Sequence, residues 1–313
     1  MTSLSETIRE ISEGSIRTIA RTLTRVENGT GNFREILDGL FRLQQGFTIG
    51  VTGPPGAGKS SLVNRMIGRY RAAGDSVGVI AIDPSSPFSG GALLGDRLRM
   101  QSHASDPGVF IRSMGSRGHL GGLSGATRDA ATVLSAAGYS PVIVETVGVG
   151  QAEVEVAELA DITVLVLVPG LGDDVQSMKA GIMEIGDIIV LNKADRNGID
   201  QLESYVKASM ELMPQELRKP AVVRTSATNG DGLEELWDAI DDLSDNRTRE
   251  RGISRAAIRT LDGILAENGR IVFEKLLDSE YNGRKAAEEL ILSGTVSPYA
   301  IGKKLLEIAE RMF

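Results

Sequence analysis

The sequence predicts an α/β protein, a mostly parallel sheet flanked by helices, with helical extensions at both ends. Three observations predict it. Between residues 46 and 245, seven short apolar, β-branched runs alternate with helical stretches. The runs are near-continuous rather than alternating in polarity. That is the pattern of strands buried on both faces, and such strands separated by helices build parallel sheets. Outside that span, apolar residues recur every three or four positions, which is the helical period. The expected organisation is an N-terminal helical extension over 1–45, an α/β domain over 46–245 and a C-terminal helical arm over 246–313.

The elements follow in order. Leu4, Ile8, Ile11, Ile16, Ile19, Leu23 and Val26 form the first stripe, with Gly14 as its break. A second helix follows Asn32 as N-cap, with Phe33, Ile36, Leu37, Leu40 and Phe41 on one face. Strands are expected at 47–52, 77–82, 109–112, 142–145, 163–168, 188–191 and 221–225. In the C-terminal arm, Ile253, Ala257, Ile258, Leu261, Ile264 and Leu265 form one stripe. Ser297-Pro298 starts a last helix, with proline in its first turn, and Leu305, Leu306, Ile308, Ala309 and Met312 continue it. The terminal stripes admit two readings, packing on the sheet or an oligomerisation arm, because a stripe does not say what it is buried against.

Composition narrows the function classes. A chain of 313 residues can bury a sizeable core. Hydrophobic residues at 41% and charged residues at 24% exclude a disordered or fibrous chain. The chain has no cysteine, which excludes disulfides, thiolate metal sites and cysteine nucleophiles and fits a reducing compartment. Two histidines, His103 and His119, leave no room for a multi-histidine metal site. The net charge of −8 argues against a nucleic-acid or anionic-membrane binder. The longest apolar run, near 162–168, falls short of the ~18 residues of a membrane span. The first residues lack the charged-then-apolar pattern of a signal peptide, so the expected location is cytoplasmic.

Three motifs carry chemistry. The first, Gly53-Pro54-Pro55-Gly56-Ala57-Gly58-Lys59-Ser60, matches G-x-x-x-x-G-K-[ST] and lies between a predicted strand and a predicted helix, the context a P-loop requires. Glycines there let backbone N–H groups curl around phosphate oxygens, and the helix N-terminus adds positive potential. Gly53, Gly56, Ala57, Gly58, Lys59, Ser60 and the following Ser61 are therefore candidate nucleotide-binding residues. Lys59 would reach the β- and γ-phosphates, and the Ser60 hydroxyl would ligate Mg²⁺.

The second motif is Asn192-Lys193-Ala194-Asp195, at the end of an apolar run and far downstream of the P-loop. An aspartate at a base edge accepts from guanine N1–H and the 2-amino group. Adenine would leave it unpaired, and loss of such polar pairs is the strong form of discrimination. Asn192 and Lys193 would brace the loop. Ser226, Ala227 and Thr228 follow the last strand, and their backbone could contact guanine O6.

The third motif, Glu145-Thr146-Val147-Gly148, follows the fourth strand, where a P-loop protein puts an acidic Mg²⁺ partner and a glycine that senses the γ-phosphate. Asp83 closes the second strand, and Asp96 follows in Leu94-Gly95-Asp96-Arg97. From spacing alone Asp96 reads as a surface charge. The glycine-rich stretch 115–125, with Arg117 and His119, reads as a mobile element near the phosphates or a flexible turn. The residues thus point to a GTP-binding, GTP-hydrolysing α/β protein.

The combination resembles one family. GVTGPPGAGKS, AIDPSSPFSGGALLGDRLRM, ETVGVGQAEVEVA, PGLGDDVQSMKAGIMEI and NKAD are all similar to segments of the MeaB/MMAA G-protein chaperones, also known by the older names ArgK and LAO/AO transport ATPase. The resemblance covers roughly 5–313. It implies a SIMIBI-class P-loop GTPase that works as a homodimer. The implied partner is an adenosylcobalamin-dependent acyl-CoA mutase, typically methylmalonyl-CoA mutase, which carries the cobalamin. GTP binding and hydrolysis would gate delivery of the cofactor and removal of its damaged form. The resemblance makes Asp83, Asp96 and Glu145 the Mg²⁺ and switch carboxylates, with Ser60 completing the metal set. Gln176 and Lys179 match a switch that responds to the mutase, and the C-terminal helices match a dimerisation arm.

Other readings compete with this one. A nickel-type metal-insertion GTPase shares the fold class but uses Cys or His at its metal site. A nucleotide-dependent kinase or transport-associated ATPase is the reading of the older names, and Asp195 argues against ATP. A non-hydrolysing GTP-dependent scaffold is the fourth.

Overall fold

The computed structural model describes residues 3–41, 43, 46–83, 103, 105–115, 122–146, 152–170, 180–213, 219–249, 255–293 and 295–312. Three helices come first, α1 (Leu4–Ser12), α2 (Ile16–Asn28) and α3 (Phe33–Phe41). Then follow β1 (Thr48–Thr52), α4 (Lys59–Ala72), β2 (Val77–Asp83), β3 (Val109–Gly115), α5 (Gly122–Ala136), β4 (Val142–Thr146) and α6 (Ala152–Leu159). Next are β5 (Ile162–Leu167), a 3₁₀ segment (Ala180–Ile185), β6 (Ile188–Leu191), α7 (Ile199–Glu211), β7 (Ala221–Arg224) and α8 (Leu233–Arg249). The last helices are α9 (Arg255–Tyr281), α10 (Arg284–Leu292) and α11 (Pro298–Met312).

Among the described residues the seven strands form one sheet in the order β3-β2-β4-β1-β5-β6-β7, parallel throughout. The inner strands β4, β5 and β6 are buried along their whole length, as their unbroken apolar runs require. The edge strands differ. β3 is mostly half-buried and β7 is partly exposed, because each has a neighbour on one side only. Each edge also carries an arginine, Arg112 or Arg224, and charges of this kind discourage edge-to-edge pairing. β3 runs three residues beyond the expected 109–112. Arg112 and Ser113 end the apolar run, but the backbone goes on pairing with β2 as far as Asp83↔Gly115.

Helices cover both faces of the sheet. On one face, Leu62, Val63, Met66 and Ile67 of α4 and Leu236, Trp237 and Ile240 of α8 pack on Ile49, Val51, Val164 and Val166. On the other, α5 and α6 cover Ile80, Ile82, Val142 and Val144, and α1–α3 add Ile11, Ile19, Leu23, Ile36 and Leu40 to the same apolar layer. α7 closes the rest of that face with Ile199, Leu202 and Val206 against Leu165, Leu167, Ile189 and Leu191.

The local signals act where they stand. Gly14 separates α1 from α2. The Asn32 carbonyl accepts from the Ile36 N–H at 3.2 Å to open α3. Ser297 caps α11, its hydroxyl accepting from the Ala300 N–H at 3.1 Å, with Pro298 as the first helical residue.

The chain divides into two compact units, Met1–Arg259 and Thr260–Phe313. The second unit has its own small core of Leu276, Ala287, Ile301 and Leu305. No helix among the described residues is long and apolar enough to cross a membrane.

Candidate nucleotide site

In an open parallel sheet, ligands bind beyond the carboxyl ends of the strands, where chain connections leave in opposite directions. β1 is central, with β4 on one side and β5 on the other. From its carboxyl end the chain enters the loop Gly53–Gly58 and then α4.

Backbone geometry makes this loop a glycine loop. Gly53 has φ of 134°, and a Cβ there would lie 2.1 Å from the Val166 carbonyl oxygen. Gly58 has φ of 90°, and a Cβ there would lie 2.4 Å from Asn192 Nδ2. No other residue type fits either position.

Four carbonyls of the loop are held from outside. Lys59 Nζ donates to the Gly53 carbonyl at 2.7 Å and to the Pro54 carbonyl at 2.9 Å. Lys193 Nζ donates to the Gly56 carbonyl at 2.7 Å, and Asn192 Nδ2 to the Ala57 carbonyl at 2.8 Å. A trans peptide points its N–H opposite to its C=O, so anchoring the Ala57 carbonyl turns the Gly58 N–H the other way. The N-cap residue of α4 is Gly58, which has no side chain to occupy the first amides of the helix. The result is a concave run of amide donors at a helix start, which suits a phosphate.

The loop opens on a cleft of about 430 Å³ lined by Lys59, Ser60, Glu145, Thr146, Lys193 and the end of β2. Glu145 is buried, at 7% exposure, and Ser60 Oγ donates to its Oε1 at 2.6 Å. Thr52 and Thr146, at the ends of β1 and β4, hydrogen bond through their hydroxyls at 3.2 Å. The register sets Glu145 beside Val51 on one side and Ala81 on the other. Asp83 ends β2, at the same edge of the sheet. Asp96, Gly148, Gln176 and Lys179 lie outside the described residues, as do Arg117 and His119. The stretch expected as a loop over 115–125 is shorter than that: Gly115 ends β3, and residues from Gly122 on belong to α5. The apolar side of α5, with Ala130, Val133 and Leu134 buried, draws those residues into a helix.

The other half of the site lies around Asn192. Its Oδ1 accepts from Thr225 Oγ1 at 3.2 Å and from the Ala227 N–H at 3.1 Å. One side chain, 2% exposed, thereby ties the P-loop to the loop after β7. Lys193 takes a left-handed backbone, φ 57°, rare outside glycine. Asp195 is exposed, and Oδ1 accepts from Ser226 Oγ at 2.8 Å. The Ser226 hydroxyl and then the residue's own backbone N–H hold its carboxyl below the usual carboxylate range. At neutral pH it is therefore an ionised, accept-only group on the loop after β6. Ser226 and Ala227 are buried and Thr228 is exposed.

Sequence reasoning missed two residues beside this site. Arg65, in the second turn of α4, donates from Nε to the Ala227 carbonyl at 2.8 Å and from Nη2 to the Thr228 carbonyl at 2.7 Å. Nothing in the sequence around Arg65 distinguishes it from other helix-face arginines. Glu153, in the first turn of α6, lies in the field of Lys59: burial pushes its carboxyl up, and the lysine charge opposes that shift. Its only sequence signal is its place in the run that follows Glu145.

A family model described as Methylmalonyl Co-A mutase-associated GTPase MeaB matches residues 19–282. A Pyrococcus abyssi protein named as a GTPase is 52% identical over 242 residues, covering 76% of this chain and 75% of that protein. The Escherichia coli GTPase ArgK is 38% identical over 251 residues, covering 77% of this chain and 76% of that protein. A crystal structure of a LAO/AO transport system kinase aligns with a TM-score of 0.70 at 26% identity, over 98% of this chain and 97% of that one. The family match takes in the P-loop, Glu145, Asn192–Asp195 and the loop after β7, and the chain belongs to the MeaB family of methylmalonyl-CoA mutase-associated GTPases.

Proposed function

We propose that this GTPase is a nucleotide-gated chaperone for an adenosylcobalamin-dependent acyl-CoA mutase of the methylmalonyl-CoA type. The observation that carries the nucleotide half of this reading is that Asn192 ties the P-loop to the Ser226–Ala227 segment, which in turn holds Asp195. Lys59, Ser60, Glu145 and Lys193 line the cleft at the P-loop, and Asp195 and Ser226 stand on the loops joined to it through Asn192. The mutase half rests on the family's own description.

Each residue has a distinct task. Asp195 accepts from guanine N1–H and the 2-amino group, and Ser226 holds its carboxylate in place. Asn192 keeps the base end and the P-loop in register through Ala57 and Ala227. The P-loop amides of Gly53 and of Gly56 to Ser61 cradle the phosphates. Lys59 exchanges its bonds with the Gly53 and Pro54 carbonyls for phosphate oxygens, where charge builds up during transfer. A hydroxyl and a carboxylate 2.6 Å apart are hard oxygen donors of the kind Mg²⁺ takes, so Ser60 and Glu145, together with Asp83 and Asp96, would hold that ion. When bound, Mg²⁺ neutralises charge on the phosphate oxygens. Gly148 senses the γ-phosphate, and Gln176 and Lys179 form the segment that the mutase orders. The helical arm from 246 joins two copies of the chain. The exposed apolar side chains Leu261, Leu265, Tyr299 and Leu306 support that assignment.

The test is the hydrolysis rate as a function of mutase concentration, for wild type and Lys179→Ala. A cation delivered to the transition state by a partner is worth about 10³–10⁵ in rate in other GTPases. Wild type should be stimulated strongly and Lys179→Ala should not. Equal stimulation of both removes the switch assignment. Failure of the mutase to stimulate or co-purify with the GTP-loaded wild type removes the chaperone reading.

A further inference from the structure

The loop after β7 contains an arrangement that the motif residues do not account for. Two successive carbonyls, those of Ala227 and Thr228, both point at the guanidinium of Arg65, a residue of α4. The contact joins chain segments 162 and 163 residues apart. Arginine's planar fork suits such a pair, with two parallel N–H groups fixed relative to each other. A lysine would offer a single point of charge.

The consequence lies on the opposite side of the loop. A trans peptide sets N–H antiparallel to C=O, so holding the Ala227 carbonyl toward α4 aims the Thr228 N–H away from it. Holding the Thr228 carbonyl does the same to the Asn229 N–H. That second N–H reaches Ser226 Oγ at 3.4 Å, and the same hydroxyl donates to Asp195 at 2.8 Å. The two peptides thus present their N–H edges on the side of the loop where Asp195 lies. The Ala227 N–H is already engaged by Asn192 Oδ1 at 3.1 Å, which leaves the Thr228 N–H as the donor that Arg65 orients.

We infer that Arg65 is a positioning residue for guanine, clamping the Ala227 and Thr228 carbonyls so that the Thr228 N–H meets the base's 6-oxygen. The inference rests on the guanine reading of Asp195 and extends it. Asp195 reads N1–H and the 2-amino group, while the clamped loop reads the oxygen at position 6. Arg65 also shares α4 with Lys59 and Ser60, so the helix that starts at the phosphate end of the site also orients its base end.

The test uses three diphosphates with full-length protein, read by calorimetry: GDP, IDP, which lacks the 2-amino group, and 6-thio-GDP, whose sulfur is the poorer acceptor. Wild type should prefer GDP to both analogues. In Arg65→Ala the preference for GDP over 6-thio-GDP should shrink about fivefold, as for loss of a part-exposed charged hydrogen bond, while the preference over IDP stays. Arg65→Lys should recover only part of the loss. It also serves as the test variant if Arg65→Ala does not fold. Equal weakening toward all three ligands, unchanged discrimination, or a wild type indifferent to 6-thio-GDP would overturn the inference. Asp195→Asn is the separate control. If it leaves the GDP-over-IDP preference intact, the guanine reading of Asp195 has failed, and that outcome is distinct from any outcome for Arg65.

Discussion

The two helical ends of this chain carry the same kind of apolar stripe and meet different fates. At the N-terminus, Ile11, Ile19, Leu23, Ile36 and Leu40 are fully buried in the layer that also holds Ile80, Ile82, Val142 and Val144 of the sheet. An ion pair from Arg112 of β3 to the buried Glu27 of α2, with Thr24 alongside, ties that end to the sheet edge. Among the described residues of the C-terminal unit, Leu276, Ala287, Ile301 and Leu305 make the buried core, while Leu261, Leu265, Leu292, Tyr299 and Leu306 are all more than half exposed. A helical stripe states that an apolar face must be covered. It does not state by what.

The proposed function places chemistry in the first unit and association in the second, and four substitutions test that division. The largest effect is expected from Lys59→Ala. Loss of a charge-stabilising donor at the transferring group should cut GTP turnover by about 10²–10³-fold or more, with the helical content from circular dichroism unchanged. Turnover that survives would place the chemistry elsewhere. The next is Ile19→Ala, an N-terminal truncation that should cost about 2–5 kcal/mol in denaturant unfolding because the sheet's own core is opened. A cost near zero would make the N-terminal helices an appendage. Asp195→Asn should weaken GTP binding roughly ten- to a hundred-fold while ATP binding stays as it was, measured by fluorescence titration. Its carboxyl is held below the usual carboxylate range, so selectivity for guanine should persist into mildly acidic buffer and fade only once the carboxylate protonates. The smallest effect on stability is expected from Leu306→Asp, within about 0.5 kcal/mol, because the side chain is half exposed. In sedimentation, however, it should shift self-association toward the monomer. If it unfolds the protein and leaves the oligomeric state untouched, the two ends are more alike than the comparison holds.

Much of the candidate site could be read directly, because its residues sit in contiguous motifs at strand ends. Gly53, Gly58, Lys59, Ser60, Glu145, Asn192 and Asp195 are residue types that these backbone angles and hydrogen bonds demand, and each stands in a short run. Arg65 could not be read. Its role depends on two carbonyls contributed from the far end of the domain, and a backbone carbonyl leaves no trace in residue type. The length of β3 was hidden for a related reason: its last residues pair through backbone that an apolar count does not register.

The sequence by itself determined the alternation of strands and helices, the parallel sheet, the P-loop and the aspartate proposed to read guanine. Each follows from local periodicity, from a turn that only glycine can make, or from a donor–acceptor match at one residue. Tertiary structure alone decided the strand order, which strands became edges, and that α1–α3 enter the sheet's core. It also decided that one asparagine and one arginine bind the two halves of the site together. These depend on which surfaces meet, and burial between distant segments is a property of the folded whole that no window of sequence contains.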